Sequence, residues 1–337
     1  MQQQADTAQL SGIVMEDHVQ ETGSAAAIEE IMEGLNRNNK YISSKYFYDE
    51  AGSALFEDIT GLPEYYQTRT EKKLIAEAAA EPGILNGVKS VIELGSGDPS
   101  KITVFFENIP EKQFDRLVYV PFDICMEAVK ASARILSFKF TGLGIHGIAG
   151  DFCTQADRIP DYGRKLVCFF GGTIGNFEPD TASAVLSDIS GVMNENDIML
   201  LGADMVKDPE VIERAYNDTK GITDRFNKNI LKAVNNIAGT DFDPADFEHC
   251  AFYNEAESRI EMHLVSLKDR EVPVSGGREK IIIKKGEKIH TENSYKFTDE
   301  AVLRILDKTG LRIAKKYTDK EGLFSLYRLE KHGGKYV

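Results

Sequence analysis

Nowhere in the 337 residues does an apolar run reach the length that spans a bilayer. The first residues, MQQQADTAQLSGIVMEDHVQETG, are polar and acidic, with no basic start leading into an apolar core, so they do not read as a secretory signal. Residues 1–22 are expected to be a flexible tail, or an arm that orders against the rest of the chain. Cysteine is scarce. Cys125, Cys153, Cys168 and Cys250 lie far apart and form no CxxC pair, so free thiols in a reducing, cytoplasmic setting are expected. The histidines show no HxxxH or HxH spacing, and no metal site is expected. Positive charge is also short: a net charge of −14 repels nucleic acid and anionic membrane, and argues against both as partners. No internal repeat or low-complexity tract is present. What remains, 42% hydrophobic and 28% charged, has the balance of a soluble globular protein, long enough for one large domain or two ordinary ones.

From Thr70 to about Asp204 helical and strand patterns alternate. TEKKLIAEAAAEPGI precedes VKSVIELG, followed by LVYVPFD, CMEAVKASARILSF, IHGIAGDF, LVCFFGGTIGNF, PDTASAVLSDISGVM and DIMLLGAD. This is the βαβα rhythm of a doubly wound parallel sheet, and its nearly continuous apolar strands suit a sheet covered on both faces. After Asp204 the rhythm changes. Asp208-Pro209 opens a helix-rich segment through about Ala238, then SRIEMHLVSLKDREV and REKIIIKKGEKIHTENSYKF read as antiparallel strands joined through Ser275-Gly276-Gly277. The helix DEAVLRILDKTG and strands LRIAKKYTD and LFSLYRLEK return to the first pattern. Residues 71–204 and 297–331 are therefore expected to form a doubly wound, Rossmann-like domain, with 23–70 and 205–296 forming a second, α+β domain.

The run Val91-Ile92-Glu93-Leu94-Gly95-Ser96-Gly97-Asp98-Pro99-Ser100 reads as a buried strand breaking into a glycine turn before a helix. Gly95 and Gly97 let a ligand approach the backbone, and such a turn at the carboxyl end of a parallel strand marks a nucleotide-type cofactor site. Asp98-Pro99 occupy the approach that a pyrophosphate needs, and Glu93 precedes the first glycine. Flanking acids repel pyrophosphate but suit a ligand with an amine and ribose hydroxyls, such as S-adenosylmethionine. Asp123 ends the next strand, where a carboxylate can take both ribose hydroxyls. Asp151-Phe152 ends the third, with an acceptor for an adenine amino group and an aromatic face for its ring. Lys101, just past the turn, is suited to the cofactor carboxylate. Each has an ordinary reading too, since Asp is common in turns and Phe152 could be core. Three acids ending three successive strands make the set more persuasive than its members.

The combination YFYDEAGSALFEDITGLPEYYQTR, IELGSGDPSK, YVPFD, GDF, GGTIGNF, RIEMHL and IHTENSYKF resembles the histidine Nα-methyltransferases of ergothioneine biosynthesis, over roughly Ser43 to Glu330 and in the same order. The resemblance implies a Rossmann-like doubly wound methyltransferase sheet with a second domain covering the amino acid. It implies transfer from S-adenosylmethionine to the α-amine of L-histidine, three times, to give hercynine. It puts Gly95, Gly97, Lys101, Asp123, Asp151 and Phe152 on cofactor positions. Asn176 and Tyr216 fall where the family holds the carboxylate and amine, and Tyr48 lies near the reacting amine. Tyr65, Met262, Glu292 and Ser294 fall on the imidazole pocket.

The chemistry of such a site is undemanding in one respect: methyl transfer from a sulfonium to an amine needs no metal and no covalent enzyme intermediate. It needs a neutral, aligned amine, and the proton is expected to leave through Tyr48 by way of water, or to bulk solvent. Asn176 can both donate to a carboxylate and accept from an amine. As methyl groups accumulate, the faces of Tyr48, Tyr65 and Phe47 tolerate a quaternary cation. Glu292 would accept from an imidazole N–H, and a site built for that bond rejects analogues lacking it. The plainer readings are that these tyrosines pack, that Met262 is core with Ile260 and Leu264, and that an isolated strand acid such as Glu292 faces water. His263 and His290 are expected to be surface or structural residues. Competing functions are an N-methyltransferase acting on another amino acid or aromatic amine, and a non-catalytic cofactor sensor. A nicotinamide dehydrogenase is disfavoured by Asp98-Pro99. Nothing in the chain demands more than a monomer.

Overall fold

The computed structural model describes residues 13–19, 24–274 and 280–331. These fall into two compact units, with the chain passing from one to the other after Val19 and at Tyr66–Gln67, Val206–Lys207 and Lys296–Phe297. In chain order the strands are β1 (Ile13–Asp17), β2 (Lys40–Tyr41), β3 (Ser90–Leu94), β4 (Val118–Asp123), β5 (Gly144–Ala149), β6 (Lys165–Phe169) and β7 (Ile198–Asp204). They continue with β8 (Phe247–Asn254), β9 (Arg259–Ser266), β10 (Arg270–Pro273), β11 (Lys280–Ile283), β12 (Lys288–Tyr295), β13 (Leu311–Thr318) and β14 (Phe324–Lys331).

The first unit is built on an eight-stranded sheet in the order β1-β5-β4-β3-β6-β7-β14-β13. All pairs are parallel up to β7, and β14 then runs antiparallel to both β7 and β13. Every residue of β3, β6 and β7 is buried, as their apolar composition requires. Aromatic side chains fill one side, where Phe106 meets Phe105, Phe114, Tyr119 and Phe140 at ring separations of 5.5–6.1 Å. From β3 the chain moves outward through β4 and β5 and then returns to β6 on the other side, so the topological switch lies beside the carboxyl end of β3.

Of the two alternatives for residues 1–22, a flexible tail or an ordering arm, Ile13–Asp17 follow the second: they pair in parallel with Ile145–Ala149 as an edge strand. Glu16 holds His146 at 2.8 Å, and Gly147 leaves room for Met15, whose sulfur would lie 2.5 Å from a Cβ there. The remainder of residues 1–22, apart from 18 and 19, lies outside the described residues. Residues 67–70 and 205–206, expected in the substrate-binding domain, belong to the first unit. Gln67 bonds Asp204 at 3.5 Å and Met205 bridges to Phe297, which ties both segments to the large sheet.

The second unit carries a four-stranded sheet, β2-β12-β9-β8, and a separate β10-β11 hairpin. The two long strand-like runs of this region are thus four strands rather than two, and the turn expected at Ser275-Gly276-Gly277 lies outside the described residues. Strand β12 pairs with β9 so that Glu292 stands opposite Met262 and Ser294 opposite Ile260, with a register shift between His290 and Glu292. A bulge of this kind re-aims a side chain. Ile260, Met262, Leu264, Glu292 and Ser294 are all buried. Among the described residues no helix is long and apolar enough to cross a membrane.

Candidate active site

In the first unit the glycine turn follows β3 directly. Gly95 and Gly97 have φ of +64° and +35°, a region that strongly favours glycine. The Gly95 N–H bonds the Phe122 carbonyl at 2.8 Å, and the Gly97 N–H bonds Asp123 Oδ2 at 2.9 Å. Asp123 Oδ1 accepts from the Cys125 N–H at 2.9 Å. Burial pushes the Asp123 carboxyl up against the pull of these backbone N–H groups. Each carboxylate oxygen accepts one backbone bond and retains a second lone pair for a hydroxyl. Phe152 stands over the turn, its ring edge 3.8 Å from where a Cβ on Gly95 would lie, and packs edge-on against Phe169. Asp151 Oδ1 accepts from the Cys153 N–H at 3.0 Å, while Gln155 takes the Asp151 N–H at 2.8 Å. The structure therefore brings Gly95, Gly97, Asp123 and Phe152 together at the switch point, with Asp151 beside them. Beside this turn Ser96 Oγ and Ser100 Oγ are buried with no hydrogen-bond partner among the described residues. Orphaned hydroxyls beside left-handed glycines fit a polar ligand seated there.

Glu93 plays a different part from the one expected. Its carboxyl is buried within the sheet and accepts the Tyr119 hydroxyl, and desolvation pushes it up to about 8. It is held inside the sheet by Tyr119 rather than standing exposed at the turn.

Lys101 has a partner that sequence reasoning missed. Glu71, on the helix Tyr66–Ala79, is fully buried and lies 3.4 Å from Lys101 Nζ. Its carboxylate also accepts the Gly171 N–H at 2.8 and 2.9 Å. A Cβ on Gly171 would sit 2.8 Å from Lys101 Nζ, and Gly171 has a φ of +85°. One carboxylate thus links the helix that carries Lys101 to the turn after β6. That turn runs on into the short helix Thr173–Asn176, which ends at Asn176. Asn176 is half-buried, and none of the hydrogen bonds among the described residues involves its side-chain amide.

In the second unit Tyr48, Tyr65 and Tyr216 belong to an aromatic group completed by Phe56 and Phe226, two residues that sequence reasoning passed over. Tyr48 meets Phe56 at 5.8 Å, Phe56 meets Tyr65 at 6.1 Å and Tyr65 meets Tyr216 at 6.5 Å, all edge-to-face. Phe47 is fully buried and stacks on Phe226 at 4.5 Å, so it is core and cannot offer its face to a cation. Tyr216 ends the helix Pro209–Tyr216 and donates its hydroxyl hydrogen to Ser294 Oγ at 2.7 Å. Lys296, also missed, donates to the same Ser294 Oγ at 2.7 Å and to the Tyr216 oxygen at 3.0 Å. Met262 and Glu292 are cross-strand neighbours on the same face. The Glu292 carboxyl is buried, and desolvation pushes it up to about 7 against the attraction of Lys296. A strand acid expected by default to face water thus sits at a buried position instead. Among these residues no cluster of side chains could hold a metal ion.

A switch-point glycine turn, an acid closing the next strand and an antiparallel strand beside β7, the last of the parallel strands, match a Rossmann-like, S-adenosylmethionine-dependent methyltransferase. The fold is shared with mitomycin 7-O-methyltransferase, at a TM-score of 0.50 and 12% identity, covering 93% of this chain and 70% of that one. The family model for S-adenosylmethionine-dependent, histidine-specific methyltransferases matches residues 27–331, and the chain belongs to that family. It is 36% identical to a histidine N-alpha-methyltransferase of Mycolicibacterium smegmatis, over 91% of this chain and 95% of that protein. It is also 31% identical to ergothioneine biosynthesis protein 1 of Neurospora crassa, over 80% of this chain and 31% of that longer protein.

Proposed function

We propose that this protein methylates the α-amine of L-histidine three times, giving hercynine, as the histidine methyltransferases of ergothioneine biosynthesis do. The observation that carries the choice of histidine is Glu292, an acid on a buried strand position whose carboxyl burial raises to about 7, two positions from Ser294 on one strand. A carboxyl in a largely desolvated setting favours a ligand that brings an N–H, and an imidazole does.

S-adenosylmethionine supplies an electrophilic methyl group on a sulfonium sulfur. Gly95 and Gly97 admit the cofactor to the backbone, Asp123 takes its ribose hydroxyls, Asp151 and Phe152 take the adenine, and Lys101, braced by Glu71, takes its carboxylate. Asn176 and Tyr216 hold the amino acid, Met262 packs against its ring, and Tyr48 and Tyr65 flank the amine. Aromatic faces attract a quaternary ammonium without needing its hydrogen bonds, which suits a product that has lost every N–H. Methylation itself releases one proton per transfer, and Tyr48 is placed in this reading to pass it towards solvent. The protein is read as a cytoplasmic monomer without nucleic-acid or membrane partners, consistent with its charge of −14.

The test is mass spectrometry of products after incubation with S-adenosylmethionine and all standard amino acids. Histidine gaining three methyl groups on the α-nitrogen is expected. Methylation confined to another amino acid would retain the chemistry and overturn the role of Glu292.

A further inference from the structure

A polar network in the second unit joins the strands and the helix that carry the substrate residues. At its centre stands Asn227, fully buried on the helix Ile222–Ala238. Its Nδ2 lies 2.8 Å from His249 Nδ1 and 3.0 Å from the His263 carbonyl, and its Oδ1 lies 2.7 Å from Thr291 Oγ1. His249, on β8, places its other ring nitrogen, Nε2, 2.9 Å from the Tyr216 carbonyl. That carbonyl closes the helix Pro209–Tyr216, among the last ones that a helix cannot satisfy from within.

Two backbone carbonyls fix the protons of Asn227 and His249, because a carbonyl only accepts. The end of the Asn227 amide that faces the His263 carbonyl is therefore its NH2, and the same NH2 gives its second hydrogen to His249 Nδ1. His249 Nδ1 must then be bare. The nitrogen facing the Tyr216 carbonyl must carry a hydrogen, so the ring is neutral and protonated on Nε2. A further hydrogen on Nδ1 would point straight at the Asn227 NH2. Burial lowers the His249 pKa, and Lys228 adds to this, against the pull of the Tyr216 carbonyl, Asp224 and Asp218. The other end of the amide reaches β12. Thr291 shares its one hydrogen between Asn227 Oδ1 at 2.7 Å and the Met262 carbonyl at 3.1 Å, and it sits at the register shift just before Glu292.

We propose that His249 is a positioning residue for the substrate pocket: held in one neutral tautomer by Asn227, it fixes the Tyr216 carbonyl, and so the Tyr216 side chain, relative to Glu292. The inference rests on Tyr216 and Glu292 holding histidine, and its test tells the two apart.

The protein labelled with 15N in its histidine rings is observed by NMR at pH 6, where a free imidazole is mostly protonated. The His249 signals are those missing from His249→Gln. A bare Nδ1 and a protonated Nε2 are expected. A hydrogen on Nδ1 would overturn the proposal, and so would a wild-type spectrum in which no ring holds the expected tautomer. Kinetics supply the second arm. His249→Leu removes the donor to the Tyr216 carbonyl, and the KM for histidine should rise about tenfold while that for S-adenosylmethionine stays within about twofold. His249→Gln can still donate there and should recover most of the loss. Asn217 holds the same helix end to the Ala251 carbonyl at 3.1 Å, so the helix stays seated in both variants. An unchanged histidine KM in His249→Leu, or a parallel rise in both KM values, would overturn the positioning role. A wild-type enzyme that methylates another amino acid and not histidine would remove the proposed substrate, and this inference with it.

Discussion

At the scale of single residues, Glu292 makes the sharpest demand. Burial raises its carboxyl to about 7, and the Lys296 ammonium opposes that rise without cancelling it. The form that accepts an imidazole N–H is the carboxylate, which forms as pH rises through that value. Histidine affinity is therefore expected to strengthen between pH 6 and pH 8. Glu292→Gln carries no titrating group, and its histidine KM should be about tenfold higher and flatter across the same interval, with cofactor affinity unchanged by calorimetry. Comparing the two enzymes removes the titration of the substrate itself. A wild-type slope that survives in Glu292→Gln would place the titrating group elsewhere.

Gly171 tests the other unit at the same scale. Its φ of +85° and the 2.8 Å that would separate a Cβ from Lys101 Nζ leave no room for a side chain. Gly171→Ala should displace Lys101 from the turn and weaken S-adenosylmethionine binding about tenfold, measured by calorimetry. An unchanged affinity would mean that Lys101 does not hold the cofactor.

At the scale of elements, the parallel strands from Ser90 to Asp204 were legible because burial on both faces imposes apolar runs that need no partner to be recognised. The acids ending those strands were legible for a related reason: a strand end is visible in sequence, and Asp123 lies where its strand stops. The bracing of Lys101 was not. Glu71 is 30 positions before Lys101 and 100 before Gly171, and its helix reads as an ordinary charged one. Lys296 and Tyr216 are separated by 80 positions, so their meeting at Ser294 exists only in the folded unit. The same holds for β1. Five residues with a single strand partner carry almost no local signal, and what seats them is His146 and Gly147 on β5. Gly147→Ala places a methyl 2.5 Å from both Met15 Sδ and Val129 Cγ1. It should cost about 1–3 kcal/mol by urea denaturation, with hydrogen exchange rising first across Ile13–Asp17. A loss of stability without faster exchange in β1 would assign the strain to Val129 alone.

At the scale of the whole molecule, buried acids set how stability depends on pH. Glu93 is raised to about 8 and Glu292 to about 7, and burial also raises Glu71. A carboxyl whose folded value lies above its unfolded value binds more protons in the native state than in the unfolded one. The native state is therefore favoured at lower pH, and stability falls as pH rises from the unfolded value towards the folded one. The buried histidines act the other way: His249 and His263 are lowered by desolvation, His263 to about 4, and their effect ends once the unfolded imidazole loses its proton near 6.5. Between pH 6.5 and 8 the raised acids stand alone among these groups, and Glu93 has the widest reach. The melting temperature of the unit that holds Glu93 should fall across that interval by about 5 °C or more. Glu93→Gln keeps an oxygen for the Tyr119 hydroxyl and loses the titration, so its melting temperature should vary much less over the same range. The rising negative charge of a chain already at −14 acts on both proteins alike, so it cancels in the comparison. Equal slopes in the two would show that Glu93 ionises as readily in the sheet as in the unfolded chain, and that the Tyr119 hydroxyl and its surroundings offset the cost of burying its charge.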